Sequence, residues 1–508
     1  MAKTLLTLVQ HIEQSAELNP LGLALQSGES KLSYRELSDG IKRLSSLFDW
    51  REQVVALAMD NGIAWAVLDL ALLAQHVPNV PIPLFFSQQQ TLHAIQDAGV
   101  SFLFTDNPQH YLKVLIEAGF EAEMEADFEL CGRSLTLIKI AVEKHTRFPR
   151  ETIKITYTSG TTGAPKGVCL SEQTITRVVQ SLLERTEANA QDVHLSLLPL
   201  STLLENLAGL YVPLLAGGCC VLPSFNETGL GTASGLDASK MYACLKKYQV
   251  TTTITTPELL LGLVSHLRSH DLTLPKLRFV AVGGASVSPQ LLANAAKLGL
   301  PVYEGYGLSE CASVVAVNGP GTNQPGSVGK PLPHLQVSFA DDGEVIVTGN
   351  CMLGYVGQTN EFSDLHAWPT GDIGFLDKLG YLHIAGRKKN IFITSFGRNV
   401  SPEWVERELM VMPAIAQAMV FGEAKPFNVA IIFARKGFNS DAVASAIEVV
   451  NSQLPDYARV GKFVLAEQAF TPANGLLTSN GRLKREAIYL AYQSQIEKLY
   501  EESTDVVL

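Results

Sequence analysis

Thr156-Tyr-Thr-Ser-Gly-Thr-Thr-Gly-Ala-Pro-Lys-Gly167 carries a strand-like run into a loop made almost wholly of hydroxyls and glycine. Upstream, Thr152-Ile-Lys-Ile-Thr-Tyr157 alternates with the period of a strand. Beyond it Thr158, Ser159, Thr161 and Thr162 supply hydroxyl donors, while Gly160 and Gly163 let backbone N–H groups turn toward one point. Lys166 adds a positive charge at the far end. Such a loop suits a polyphosphate. It departs from the P-loop, which ends in Gly-Lys-Ser/Thr, because Pro165 stands in the place of that glycine.

The rest of the composition limits what surrounds this loop. With 508 residues, 46% of them apolar, the chain can bury large cores and predicts two to four structural units. A net charge of −11 with no basic block argues against a nucleic-acid partner, so an anion site must be cationic locally. Seven scattered cysteines read as small core residues rather than a disulfide framework. The apolar start MAKTLLTLVQHIEQ is interrupted by charge and amide groups and lacks the plan of a signal peptide. The Leu-rich stretch 195–222 is broken by Glu205 and Asn206, so no membrane span is expected. A cytoplasmic setting, with at most peripheral membrane contact, is the expectation.

Strand and helix periods alternate along most of the chain. Val54–Met59 and Ser101–Thr105 read as strands, Ile63–Gln75 as an apolar helix, and Tyr111–Ala118 as a further helix. Thr252–Thr256, a helix from Pro257 to His270, and Leu277–Val282 ending in Gly283-Gly284 continue the pattern. Layered α/β sheets with helices outside follow. From about Gln336 short strands with Gly and Asp turns predict a β-rich subdomain. After Gly386-Arg-Lys-Lys389 a new unit starts, with Pro402 opening a helix to about Met412.

The hydroxyl-glycine loop resembles the phosphate signature of the adenylate-forming superfamily, which includes acyl-CoA synthetases, peptide-synthetase adenylation domains and luciferases. Two further segments agree. Tyr303-Glu-Gly-Tyr306-Gly-Leu-Ser309-Glu310, preceded by Gly283-Gly284-Ala285, is similar to the family's Tyr-Gly-x-Thr/Ser-Glu element. The resemblance implies that Tyr306 stacks on adenine beside Gly307, Gly284 and Ala285, that Ser309 meets the α-phosphate, and that Glu310 holds Mg²⁺. Thr370-Gly-Asp372-Ile-Gly374 looks like the family's Thr-Gly-Asp-x-Gly, whose aspartate grips the ribose hydroxyls, with Arg387 as second contact and Lys389 as hinge. Leu32–Leu37, Gly326–Gly329, Gly343-Glu-Val, Gly354-Tyr355 and Leu454–Tyr457 fall in family order, so the resemblance spans nearly the whole chain.

The chain departs from the family's pattern at three places. In Leu476-Leu-Thr-Ser-Asn-Gly481-Arg482-Leu-Lys484-Arg485 the position of the family's catalytic lysine holds Arg482, which is placed ahead of Lys484 as its replacement. In Thr394-Ser-Phe396-Gly397-Arg-Asn399, Phe396 stands where thiol-using relatives have glycine in the acceptor tunnel. In Leu198-Pro-Leu-Ser-Thr202-Leu-Leu-Glu205, Thr202 stands where long-chain acyl-CoA synthetases have histidine, and the Leu-rich surroundings favour an aliphatic pocket. His194, His334 and His383 read as structural. The expected architecture is an adenylation domain of layered α/β sheets with a β-rich subdomain over 1–388. A small mobile α+β domain over 389–508 follows. The expected activity is ATP- and Mg²⁺-dependent activation of a hydrophobic carboxylic acid, most simply a medium- or long-chain fatty acid. The acyl group then passes to coenzyme A or to the pantetheine of an acyl carrier protein. A non-CoA acceptor and a non-catalytic nucleotide binder stand as alternatives.

Overall fold

The computed structural model describes residues 7–47, 50, 53–142, 147–158, 165–230, 236–358, 366–478 and 482–504. Two compact units emerge. The first comprises 1–284, 295–337 and 347–368; the second comprises 285–294, 338–346 and 369–508.

The first unit is built on two mixed sheets. One runs in the order Gly354–Tyr355, Lys166–Ser171, Thr152–Thr158, Asn79–Pro81, Val55–Ala58, Phe102–Thr105, Arg133–Ile140, Ala122–Leu130. Its middle strands are parallel and both flanks antiparallel. The other has a parallel centre, with Val302–Tyr306, Phe279–Val282, Thr252–Thr255, Val193–Leu195, Cys219–Val221 and Leu23–Ser27 side by side. Parallel strands need helical crossovers, which cover both faces and make the strands uniformly apolar. Val55–Ala58 is accordingly buried at every residue. Helix Ile63–Ala74 is apolar on all sides and buried from Ile63 to Leu73, as a helix inside a core must be. Its one charge, Asp69, is paid for by partners described below.

In the second unit the chain forms the hairpin Trp368–Leu376 with Leu382–Arg387 and a short hairpin of Phe392–Ile393 with Asn399–Val400. A sheet follows in which Asn428–Ala434 lies between antiparallel Ile415–Phe421 and parallel Val460–Leu465. Helices Pro402–Met410 and Ser440–Asn451 close its apolar core around Val405, Leu409, Ile432 and Ile447. The first of these helices starts at Pro402 as expected. It stops at Met410 because Pro413 disfavours helical backbone at the residue before it. Helix Arg485–Thr504 ends the described chain, and Arg485 bridges to the buried carboxylate of Glu406 at 2.5 Å.

No helix among the described residues is long and apolar enough to cross a membrane.

Candidate active site

The strand leading into the loop spans Thr152–Thr158 and pairs antiparallel with Lys166–Ser171, setting Thr158 opposite Lys166. Ser159, Gly160, Thr161, Thr162 and Gly163 lie outside the described residues. Both stems of the loop are gripped from one face of helix Gln88–Ala98. His93 Nε2 donates to the Pro165 carbonyl at 2.8 Å, and the Tyr157 hydroxyl donates to Asp97 at 2.8 Å. Residues 93 and 97 stand one turn apart and so face the same way. Burial, then the Asp97 charge, pushes the Tyr157 phenol far above its ordinary range, which keeps it a donor.

Lys166 and Glu310, distant in sequence, meet through a residue not singled out by its type. The Lys166 ammonium lies 5.1 Å from the ring centroid of Tyr355, whose hydroxyl donates to Glu310 Oε1 at 3.0 Å. Backbone geometry imposes this meeting. Tyr355 pairs with Val168 on the Lys166 strand, and the Met352 N–H donates to the Glu310 carbonyl at 2.7 Å. Burial first and the Glu310 charge second raise the Tyr355 hydroxyl's pKa, so it remains protonated.

Ser309 and Glu310 occupy a single turn, Ser309–Cys311, just after the strand Val302–Tyr306. Gly307 is obligatory between them, since any Cβ there would strike the Ser313 carbonyl. Gly284 holds a left-handed φ of 82° beyond the strand Phe279–Val282, while Ala285 falls in the second unit.

Thr202 donates its hydroxyl to the Pro199 carbonyl at 2.7 Å, closing the turn that precedes a π-helical stretch, Glu205–Tyr211. Such stretches recur where a function has altered the winding of a helix. This one is held from two directions. Glu205 accepts from His194 Nε2 at 3.1 Å and from the Leu198 N–H at 3.3 Å, and His194 Nδ1 meets the Thr252 hydroxyl at 2.9 Å. From the other side, Asn206 and Tyr211 donate to Asp69 Oδ2 at 2.9 and 2.6 Å. Lys154 and Asn79 donate to Asp69 Oδ1, each at 2.6 Å, and Lys154 also donates to Asn206 Oδ1 at 2.6 Å. The Lys154–Asp69 pair is buried, and loss of solvent lowers the lysine's pKa while the aspartate charge opposes that shift.

In the second unit Asp372 and Arg387 are cross-strand neighbours, with Arg387 Nε 2.9 Å from Asp372 Oδ1. Gly371 takes a left-handed φ of 73°, its N–H donates to Glu344 at 2.9 Å, and Arg387 also donates to the Thr370 carbonyl at 3.1 Å. Arg482 lies within reach of both charges. Desolvation by surrounding protein and then the like charge of Arg387 lower its pKa, and the Asp372 carboxylate raises it. The Arg482 backbone is pinned by its N–H to the Thr478 hydroxyl at 2.9 Å, while the Lys484 N–H donates to the Leu476 carbonyl at 2.9 Å. Lys389 is exposed just beyond this hairpin. Phe396 is 74% exposed, next to Gly397 with a left-handed φ of 71°, so its ring does not fold into a core.

Among the described residues no three His, Cys, Asp or Glu side chains gather around a common point. A divalent ion held by so few of the described side chains would take its other ligands from phosphate and water. That suits Mg²⁺, which binds through one or two carboxylates plus substrate phosphates.

Comparison with known proteins gives a consistent outcome. The sequence profile described as AMP-binding enzyme matches residues 12–356, and that of the AMP-binding enzyme C-terminal domain matches residues 389–504. The long-chain-fatty-acid–CoA ligase FadD15 of Mycobacterium bovis is 28% identical, with 86% of each chain covered. The oxalate–CoA ligase of Arabidopsis thaliana is 27% identical over 82% of this chain and 85% of its own. Among solved structures, O-succinylbenzoate coenzyme A synthetase from Bacillus subtilis in complex with AMP has a TM-score of 0.73 at 23% identity, covering 94% of this chain and 97% of its own. The anthranilate CoA ligase AuaEII with anthranoyl-AMP has a TM-score of 0.78 at 18% identity, covering 96% and 97%.

Proposed function

The chain belongs to the AMP-binding enzyme family, and on that premise we propose that it couples a medium- or long-chain fatty acid to a thiol through an acyl-adenylate. The observation that carries the site assignment is the Lys166–Tyr355–Glu310 set beside the loop stem, a cation and a carboxylate held by one ring. Support for the acid class comes from the long-chain relatives and the leucine-rich run after Thr202.

In this reading the substrate carboxylate, already ionised at neutral pH, attacks the α-phosphorus of ATP and pyrophosphate leaves. No general base is required. Lys166 and the loop donors hold the phosphates, Glu310 would hold Mg²⁺, and Tyr306 packs on the adenine. Asp372 accepts from the ribose hydroxyls, oriented by Arg387. Arg482 neutralises charge growing between the carboxylate and the α-phosphate; Mg²⁺, when bound, offsets the charge on the phosphates. The thiol of coenzyme A or of carrier-protein pantetheine then attacks the acyl carbonyl, forming the thioester and releasing AMP. Lys389 serves as the hinge between the two steps.

Pyrophosphate release measured across straight-chain acids of graded length, oxalate and an aromatic acid, with and without coenzyme A, tests this. The expected result is release greatest for the longer aliphatic acids, with acyl-CoA formed in step. Arg482→Ala should lower acid-dependent ATP–pyrophosphate exchange by about 10²–10³-fold. Equal or greater turnover of oxalate would overturn the substrate class. Exchange untouched by Arg482→Ala would overturn the role of that residue.

A further inference from the structure

The segment 352–356 is stitched to both halves of the candidate nucleotide site before any side chain is considered. The Met352 N–H bonds the Glu310 carbonyl, the Leu353 N–H bonds the Cys169 carbonyl at 2.9 Å, and the Val356 N–H bonds the Gly167 carbonyl at 2.8 Å. Gly167 must be glycine for this approach, because a Cβ there would lie 2.7 Å from Val356 Cγ2 and 2.9 Å from Tyr157 Cζ. Tyr355 therefore has a fixed position relative to the strand that carries Lys166 and to the turn that carries Glu310. Its ring is further braced edge-on by Trp368, with centroids 6.0 Å apart.

We propose that Tyr355 is a positioning residue of the nucleotide site, holding the Lys166 ammonium over its ring and the Glu310 carboxylate on its hydroxyl. The inference rests on the reading of Glu310 as the metal-facing carboxylate. Two physical consequences follow. A hydroxyl donating to one carboxylate oxygen fixes the plane of the group and leaves the second oxygen directed elsewhere, as outer-sphere donors do for metal-binding carboxylates. The ring's negative face attracts the exposed ammonium of Lys166 and holds it in place beside the phosphate site. One aromatic side chain thus sets the separation of two groups that must face the same triphosphate. A phenol can do both; phenylalanine keeps the face and loses the donor, and leucine loses both.

The test uses the full-length protein and calorimetric titration of ATP at graded Mg²⁺ concentrations without acid substrate, together with ATP–pyrophosphate exchange and melting temperatures. Tyr355→Phe should raise the Mg²⁺ concentration for half-maximal ATP binding by about 10–100-fold, with little change in ATP affinity at saturating Mg²⁺. Tyr355→Leu should show the same shift and, in addition, weaker ATP binding at saturating Mg²⁺. A bulk structural role would lower the melting temperature and leave the Mg²⁺ midpoint where it was. Tyr355→Phe with an unmoved midpoint, while Glu310→Gln shifts it, overturns this inference alone. Glu310→Gln with an unmoved midpoint overturns the reading of Glu310 and this inference with it.

Discussion

Replacing Lys154 by methionine should loosen the core of the first unit, because it breaks the buried Lys154–Asp69 pair while nearly preserving volume. In the wild type the Asp69 carboxylate receives four donors, from Lys154, Asn79, Asn206 and Tyr211, at 2.6 to 2.9 Å. The lysine donates to Asp69 and Asn206 and lies 5.4 Å from the Tyr211 ring. Lys154→Met removes two charge-assisted bonds and leaves the carboxylate buried with three neutral donors. Breaking one partner of such a pair costs about 3–5 kcal/mol, most of it the uncompensated charge. Because methionine fills similar space, the cavity contribution is small. A chain of several compact units need not unfold in one step, so a local readout is preferable. Hydrogen exchange of amides in Ile63–Ala74 and Thr152–Thr158 should speed up by about 10²–10³-fold, since 1.4 kcal/mol is a factor of ten. Adding Asp69→Asn should recover at least tenfold of that protection, since the orphaned charge goes with it. If the double variant exchanges as fast as the product of the two single effects, the charge argument is wrong.

Three other outcomes follow from the geometry. His334 packs against Ser181 at 2.6 Å, and burial first and the Arg177 charge second hold its pKa down at about 4. The unfolded chain takes up a proton below about 6.5 that the folded chain refuses, so this contribution to stability is complete above that pH. It falls by up to about 1.4 kcal/mol per unit as pH drops toward 4. His334→Asn should flatten that limb in melting temperature against pH, and parallel wild-type and variant curves would refute the assignment. Gly209→Ala places a Cβ against the buried Glu205 carboxylate and within 2.8 Å of His194 Nε2. It should destabilise by about 1–3 kcal/mol, read as a lowered melting temperature. Phe396→Gly removes an exposed ring and should change stability by less than about 0.5 kcal/mol. It should raise the rate of thioester formation severalfold in a single-turnover assay from preformed acyl-adenylate, with pyrophosphate exchange unchanged; a slower thioester step would assign the ring a helpful role.

Element types were legible where period and composition coincide. The apolar helix from Ile63, the strands at Phe102 and Phe279 and the proline-opened helices at Pro257 and Pro402 all lie within a few residues of where alternation and capping place them. The helix from Pro402 ends two residues short of the expected Met412, because Pro413 restricts the backbone before it. His194 reads as structural, and the structure buries it against Glu205, a partner that periodicity carries no mark of. Lys154 stands in sequence within an alternating strand; the structure buries it, because an oppositely charged Asp69 on a distant helix satisfies it.

From the order of amino acids alone came the class of fold, and the expectation that the loop, the turn at Ser309-Glu310 and the Thr-Gly-Asp segment meet a nucleotide. Those depend on residue types at short spacing, which covalent connectivity preserves. Only the tertiary structure decided who touches whom across long separations: Tyr355 between Lys166 and Glu310, and Lys154 on Asp69. Such contacts are settled by sheet register and by the cost of leaving a buried charge or donor without a partner, and neither is a property of any one segment.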